Sequence, residues 1–437
     1  MRNIKPFFIN SNICLEEKDI YSQENFFSSI AGNIGNSYIT YSLIKELFGG
    51  LVNINHIQNI YEYDFTHADK DIDFINNECT HVFLILQDQI RIIESYNLQL
   101  PYLSIINFIK KLNKPVIIAG LGMNSLDDYD KDFHKKLSPE LINFLKFLSD
   151  NCIEIGIRGH FTEEILNNLD IKNINVIGCP SFYEMGRNRV LTKKKKINDS
   201  KILLSSSFHS KLLNNNHQIM QCLAEEKIIN AVAFDNLHED IIENEFKMIQ
   251  SGKYHIFSGI EQWKNFVSKF DFTIGYRLHG SILSINAGVP ALCCSEDYRA
   301  KEMCELLKIP INLAIEPNKN IIELYEELDY SEMNKNYPKL YDNFENFLNN
   351  NKLRLFKEDN IKYNYIKQPE LVLYSKKLKK SLSKHPLNKE LKYRQIKMFI
   401  NKIFSIENKN QHKIITIMGL KFKFKMKIIG IPDSCKH

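Results

Sequence analysis

The densest run of chemically capable residues lies between Asp271 and Glu302, DFTIGYRLHGSILSINAGVPALCCSEDYRAKE. Arg277 carries a permanent positive charge in a planar fork suited to a carboxylate or phosphate, and His279 can exchange a proton near neutral pH. Leu278 separates them, and Gly280 and Ser281 continue into an apolar helix whose first amides and dipole favour an anion. Arg277 and His279 are therefore the candidates for catalysis, with Leu278, Gly280 and Ser281 beside them. Asp297, Arg299 and Glu302 follow the next apolar run and are expected to face the same crevice, although charged loop residues are solvated by default.

Three further segments could contribute. AGNIGNS at 31–37 opens a helical pattern, and Asn33, Gly35 and Asn36 there offer a tight turn with helix-start amides. Its spacing is neither the dinucleotide fingerprint nor a P-loop, and a turn that is only structural fits it equally. AGLGMNS at 119–125 directly follows an apolar run, placing Gly120 and Gly122 at the carboxyl end of a strand, where ligands of open α/β sheets bind and where glycine is also needed to turn the chain. In IEIGIRGHFTEEIL at 153–166, Arg158 ends a strand, and Thr162 is expected to cap the following helix. Arg158 can grip an anion or pair with the acidic helix beside it; His160 can equally be a surface residue.

Strands must hold these residues. Strand-length apolar runs are expected at 81–86, 115–119, 153–157, 175–177, 201–205, 228–234, 271–274 and 290–294, with helix-like stretches between them. Continuous rather than alternating apolar runs argue for parallel sheets covered on both faces, an α/β chain. The polar stretch 186–200, with four lysines at 193–196, is placed as a linker, with a basic loop inside one domain as the competing reading. Expected domains are 1–190, 200–335 with the Arg-Leu-His-Gly run, and a helical, Lys-rich extension at 336–437.

Charge divides the chain unevenly. Residues 361–437 hold 19 Lys/Arg against 4 Asp/Glu, a net of +15, which leaves −10 on residues 1–360 within the overall +5. Helices are expected at 371–382 and 391–404, then strands at 412–418 and 421–427, the last alternating lysine with Phe, Phe and Met. That two-faced ribbon either packs on the acidic body or rests on an anionic membrane surface. With 44% hydrophobic and 25% charged residues the chain is globular, and it contains no apolar run of about 18 residues. The start lacks a signal-peptide core, so a cytoplasmic protein, peripheral at the inner membrane face, is expected. Nine irregularly spaced cysteines read as reduced core thiols; neither a metal site nor a nucleic-acid module is signalled.

Taken together, Asn33-Ile34-Gly35-Asn36, the strand ending at Arg158, Gly178-Cys179-Pro180-Ser181, Arg277-Leu278-His279-Gly280, Gly288-Val289-Pro290 and Asp297-Tyr298-Arg299 resemble the polysaccharide pyruvyl transferase family over about the first 315 residues. The resemblance implies two Rossmann-like parallel-sheet domains facing a cleft, GT-B-like, to which this chain adds a basic helical and hairpin extension. It also implies transfer of pyruvate from phosphoenolpyruvate to two hydroxyls of a surface-glycan sugar as a ketal, without metal or other cofactor. Arg158 and Arg277 are then the expected donor-binding cations, helped by amides at Gly280 and Ser281, and His279 the general acid. Many members have Gly-Asp in the first turn; here it is Gly35-Asn36. The tail resembles those on assorted bacterial surface-glycan enzymes, so the expected acceptor is a glycan, lipid-linked at the membrane. The alternative is a GT-B glycosyltransferase using a nucleotide-sugar donor; a glycan-binding protein that kept the fold is a further one.

Overall fold

A computed structural model describes residues 4–10, 13–15, 22–30, 32–57, 60, 63–92, 100–125, 129–205, 217–221, 230–234, 237–295, 297–313, 319–356, 366–368, 376–409, 412–417 and 420–425. The first half supplies β1 (Pro6–Ile9), β2 (Asn55–Ile57), β3 (His81–Leu84), β4 (Ile90–Arg91), β5 (Val116–Leu121), β6 (Met123–Asn124), β7 (Ile155–Ile157) and β8 (Ile174–Val176). Six of these form one parallel sheet in the order β2-β1-β3-β5-β7-β8, while β4 and β6 pair separately. The second half supplies β9 (Ile202–Ser205), β10 (Gln218–Gln221), β11 (Tyr254–Ile256), β12 (Phe272–Gly275), β13 (Ala291–Cys294) and β14 (Ile311–Asn312). These make a second parallel sheet, β11-β10-β9-β12-β13-β14. The chain is thus α/β with two Rossmann-like sheets, as the residue pattern requires. Every residue of β1, β5, β9, β12 and β13 is buried, which is why those runs read as continuously apolar.

Both sheets reverse their strand order beside the first strand, between β1 and β3 and between β9 and β12. Crevices outside the carboxyl ends at such reversals are where open α/β sheets bind ligands. The helix Ile34–Phe48 follows β1 and is buried nearly all round, from Gly35 and Tyr38 to Leu47. A helix apolar on every side must be enclosed. It lies between the halves: its Tyr41 hydroxyl donates to Glu261, and its Lys45 donates to Glu184 at 2.7 Å.

Some expectations change. The run 228–234 is not a strand where it is described, since 230–232 are helical; Gln218–Gln221 takes that place in the sheet. A short apolar run fits either structure, and only packing decides. Lysines of the proposed linker are pinned: Lys193 donates to the carbonyls of Tyr325, Glu326 and Leu328, and Lys194 to Asp271. The helix Ser331–Asn350, most of which falls in the expected extension, belongs to the core. It buries Tyr337, Phe344 and Phe347, and Asn343 donates to the β8 carbonyl of Val176 at 2.9 Å.

Beyond it come helices Lys376–Lys384 and Pro386–Ile403, then an antiparallel sheet of β15 (Phe404–Lys409), β16 (His412–Ile417) and β17 (Leu420–Lys425). The first strand extends the expected hairpin to three strands. The turn at Gly419 and residues 426–427 lie outside the described residues, as does 371–375 of the expected helix.

Candidate functional site

His279 sits in the first turn of the helix Leu278–Asn286, immediately after β12. Its ring lies against Gly35: a Cβ on that glycine would stand 2.6 Å from Nδ1 and 2.7 Å from Cγ. Nε2 approaches the Cys179 thiol at 3.5 Å, and that thiol lies 3.0 Å from the Ser181 hydroxyl. The imidazole is therefore held between the halves, touched from the first by Gly35 and Cys179. Burial, then the nearby Arg158 guanidinium, push its pKa down to about 3, opposed by Asp88. His279 is neutral at physiological pH, which does not fit a resting general acid.

Arg158 follows β7 and is 6% exposed. Gly122 makes room for it, since a Cβ there would lie 2.6 Å from the arginine Cδ. The two glycine motifs thus share one function: Gly35 admits the imidazole and Gly122 the guanidinium. Gly120, at φ +81° and with a prospective Cβ 3.0 Å from Pro180, is needed by the chain path.

The structure adds Asp88, in the turn after β3. Arg299 donates to it, and Asn124 Nδ2 donates to it at 3.2 Å. Burial would raise the Asp88 carboxyl, but Arg299, Arg158 and Arg91 outweigh burial and hold it below the ordinary value. Arg299 also donates through Nε to both Asp297 oxygens at 2.8 Å, and Asp297 caps its own helix, Tyr298–Leu307, through the Arg299 amide at 2.9 Å. Arg299 is thus engaged by two carboxylates. Asp88 carries no motif around it, and only its place at the strand-order reversal could have singled it out.

Several expected ligand contacts are already spoken for. Amides of Gly280 and Ser281 donate to the Arg277 carbonyl at 2.9 and 3.2 Å, because Arg277 is the N-cap of that helix. Both amides are thus occupied within the helix's first turn. Gly280 is needed instead because a Cβ would fall 2.1 Å from Ser205 Oγ, and Leu278 is buried in the core. The first turn is closed likewise: Asn33 Oδ1 accepts from Gly35 at 2.9 Å, and the Asn33 carbonyl accepts from Asn36 at 2.9 Å.

Glu302 is buried and accepts from the Thr162 amide at 2.6 Å and hydroxyl at 3.0 Å. Thr162 does not cap its helix; the carboxylate arriving from the other half does so, and Gly159 leaves it space, with a prospective Cβ 2.3 Å from Glu302 Cγ. Burial first of all raises the Glu302 pKa. His160 is exposed and pairs with Glu163 at 2.9 Å.

What remains open is informative. Arg158 Nε, Arg277 Nε and Ser281 Oγ are buried without a hydrogen-bond partner among the described residues. Arg277 lies with its guanidinium carbon 4.6 Å from the Tyr276 ring centroid. Buried donors are normally satisfied, so these suit a polar ligand or water. Seven described cysteines are buried free thiols, and among the described residues no group of His, Cys, Asp and Glu is arranged to hold a metal ion.

Similar solved structures include a UDP-N-acetylglucosamine 2-epimerase, 12% identical, covering 83% of this chain and 100% of that one at a TM-score of 0.41. Another is UDP-GlcNAc 2-epimerase from Neisseria meningitidis bound to UDP-GlcNAc, 11% identical, covering 78% and 94% at 0.39. A wall teichoic acid polymerase is 11% identical, covering 92% and 91% at 0.32. No curated protein matches the chain. The polysaccharide pyruvyl transferase family model matches residues 33–298, from the cap of the first turn to the start of the helix carrying Arg299 and Glu302. With more than half of its 437 residues matched, the chain belongs to the polysaccharide pyruvyl transferase family and is a glycan-modifying transferase.

Proposed function

We propose that the chain transfers the pyruvyl group of phosphoenolpyruvate to a pair of glycan hydroxyls as a cyclic ketal. The supporting observation is the set of unpartnered buried donors, Arg158 Nε, Arg277 Nε and Ser281 Oγ, on the segments that flank a neutral imidazole. Arginine forks suit a ligand carrying both a carboxylate and a phosphate. His279 then acts first as a base: it takes the proton of the first acceptor hydroxyl and delivers it to the donor's methylene carbon as that oxygen bonds to C2. The second hydroxyl oxygen attacks C2 as the C2–O bond to phosphate breaks, and its proton passes to the departing oxygen, releasing inorganic phosphate as hydrogen phosphate. The donor's negative charge raises the proton affinity of His279 just when it must hold a proton.

Phosphoenolpyruvate is expected to raise the melting temperature of the wild-type protein, and Arg158→Ala to abolish that shift; saturation at 100 times Kd would add about 2.7 kcal/mol. Stabilisation by a nucleotide sugar but not by phosphoenolpyruvate would establish the glycosyltransferase alternative instead.

The tail supports peripheral attachment to anionic lipid at the inner membrane face, with a lipid-linked acceptor there. Strand registers put Phe404, Ile406, Ile415, Ile417, Leu420 and Phe422 on one face of the sheet and Lys421 and Lys423 on the other. Leu420 and Phe422 are 67% and 47% exposed. A ribbon lying in the interface would bury the apolar face and keep lysines among headgroups, each contributing about 1 kcal/mol. A second copy would bring one +15 tail against another. Among the described residues no helix is long and apolar enough to cross a membrane. Flotation with phosphatidylglycerol vesicles should fall with added salt and on replacing Lys421, Lys423 and Lys425 by Glu; salt-insensitive flotation retained by that variant would contradict the attachment.

A further inference from the structure

A cavity of about 500 Å³ lies between the helix His160–Asn167 of the first half and the helix Tyr298–Leu307 of the second. Its volume is within the 300–1,000 Å³ typical of small-molecule sites. None of the open donors described above lines it, so it is not the donor pocket. Its walls combine the rings of Tyr129 and Phe161 with the carboxylates of Glu164, Glu302 and Glu305 and the ammonium groups of Lys131 and Lys308.

The Tyr129 ring is fixed. Its hydroxyl donates to Glu305, its ring centroid lies 4.9 Å from that of Phe161, and Lys301 Nζ stands 4.5 Å from it. The backbone of Tyr129 is left-handed, φ 43°, a strained state for a tyrosine that its surroundings must hold in place. A rigid aromatic surface rimmed by carboxylate acceptors and ammonium donors matches a pyranose ring, which has an apolar C–H face and hydroxyls around its edge. Flat apolar ligands would leave the charges unused, and a lone anion would meet the three carboxylates.

The cavity also adjoins the donor-side residues. Glu302 forms part of its wall, and the same side chain fills the space over Gly159, the neighbour of Arg158, whose charge acts on the carboxyl. A sugar in the cavity would therefore be one side chain from the proposed phosphoenolpyruvate site.

We infer that the cavity between these two helices is the acceptor subsite, binding a pyranose unit of the glycan against Tyr129 and Phe161. This rests on the reading of the chain as a pyruvyl transferase. The test measures phosphate release from phosphoenolpyruvate, with polysaccharide extracted from cells lacking this gene as acceptor. Tyr129→Ala should raise the polysaccharide concentration for half-maximal rate by about tenfold, and should leave the melting shift given by phosphoenolpyruvate unchanged. Glu305→Ala, at an exposed position, should act in the same direction and guards against a Tyr129 variant that fails to fold. Unchanged half-saturation in a folded variant overturns the subsite while leaving the proposed function standing. Absence of both phosphate release and the melting shift in the wild type overturns the proposed function, and the subsite with it.

Discussion

Lowering the pH should destabilise this protein through His279, and by an amount the geometry sets. The groups facing the ring are the Arg158 guanidinium, the Asp88 carboxyl and the Cys179 thiol. Folding lowers the imidazole from about 6.5 to about 3, so between those values the unfolded chain binds a proton that the folded chain refuses. Stability therefore rises with pH across this window: it is full above about 6.5 and is lost as the pH falls towards 3. The whole shift corresponds to roughly 5 kcal/mol, and the part lost between pH 7.5 and 5 to about 2 kcal/mol. Because the ring keeps some contact with solvent, both figures are ceilings. Urea unfolding of wild type and His279→Gln at the two pH values isolates the effect, since other groups such as His255, lowered to about 4 by burial, contribute equally to both proteins. Wild type should lose up to about 2 kcal/mol more than the variant on acidification. Equal losses, or a larger loss in the variant, would refute the neutral, enclosed imidazole.

Further outcomes follow from the same contacts. Gly35→Ala should displace the imidazole and Gly122→Ala the Arg158 side chain; each should cut acceptor-dependent phosphate release by about a hundredfold, roughly 2.7 kcal/mol of transition-state stabilisation, with far-UV circular dichroism unchanged. Asp88→Asn leaves Arg299 with Asp297 alone and removes the carboxylate opposing Arg158, so it should cost about 1–2 kcal/mol in urea unfolding, discounted for the partial exposure of Arg299. Glu302→Gln tests the opposite pH sign. Burial raises the Glu302 carboxyl, so the folded chain holds its proton more tightly than the unfolded chain and stability falls as pH rises above the ordinary carboxylate range. The amide cannot ionise and still accepts from Thr162, so melting temperatures measured from pH 5 to 8 should decline less in the variant.

Arg158, Arg277 and His279 stand out in the sequence because an arginine or histidine just after an apolar strand run serves only a few chemistries. Gly35 and Gly122 stand out as special positions, but local spacing leaves a ligand-binding turn and a structural one equally open. A glycine in a turn suggests open amides, whereas here each is small so that a side chain from elsewhere can fit. Its partner, 244 residues away for Gly35 and 36 for Gly122, is invisible to local spacing. Glu302 was singled out by its place after an apolar run, but no local pattern could reveal that it caps a helix of the other half.

The order of apolar runs and the positions of charged residues at their ends settled the α/β class, the parallel sheets and the uneven charge, because burial and backbone periodicity are local properties of the chain. Which strands lie side by side, where their order reverses, and that Asp88, Arg158 and His279 come within one electrostatic neighbourhood depended on packing between distant segments. So did the protonation of His279: imidazole chemistry is written in the residue, but its proton affinity is set by what the folded chain places around it.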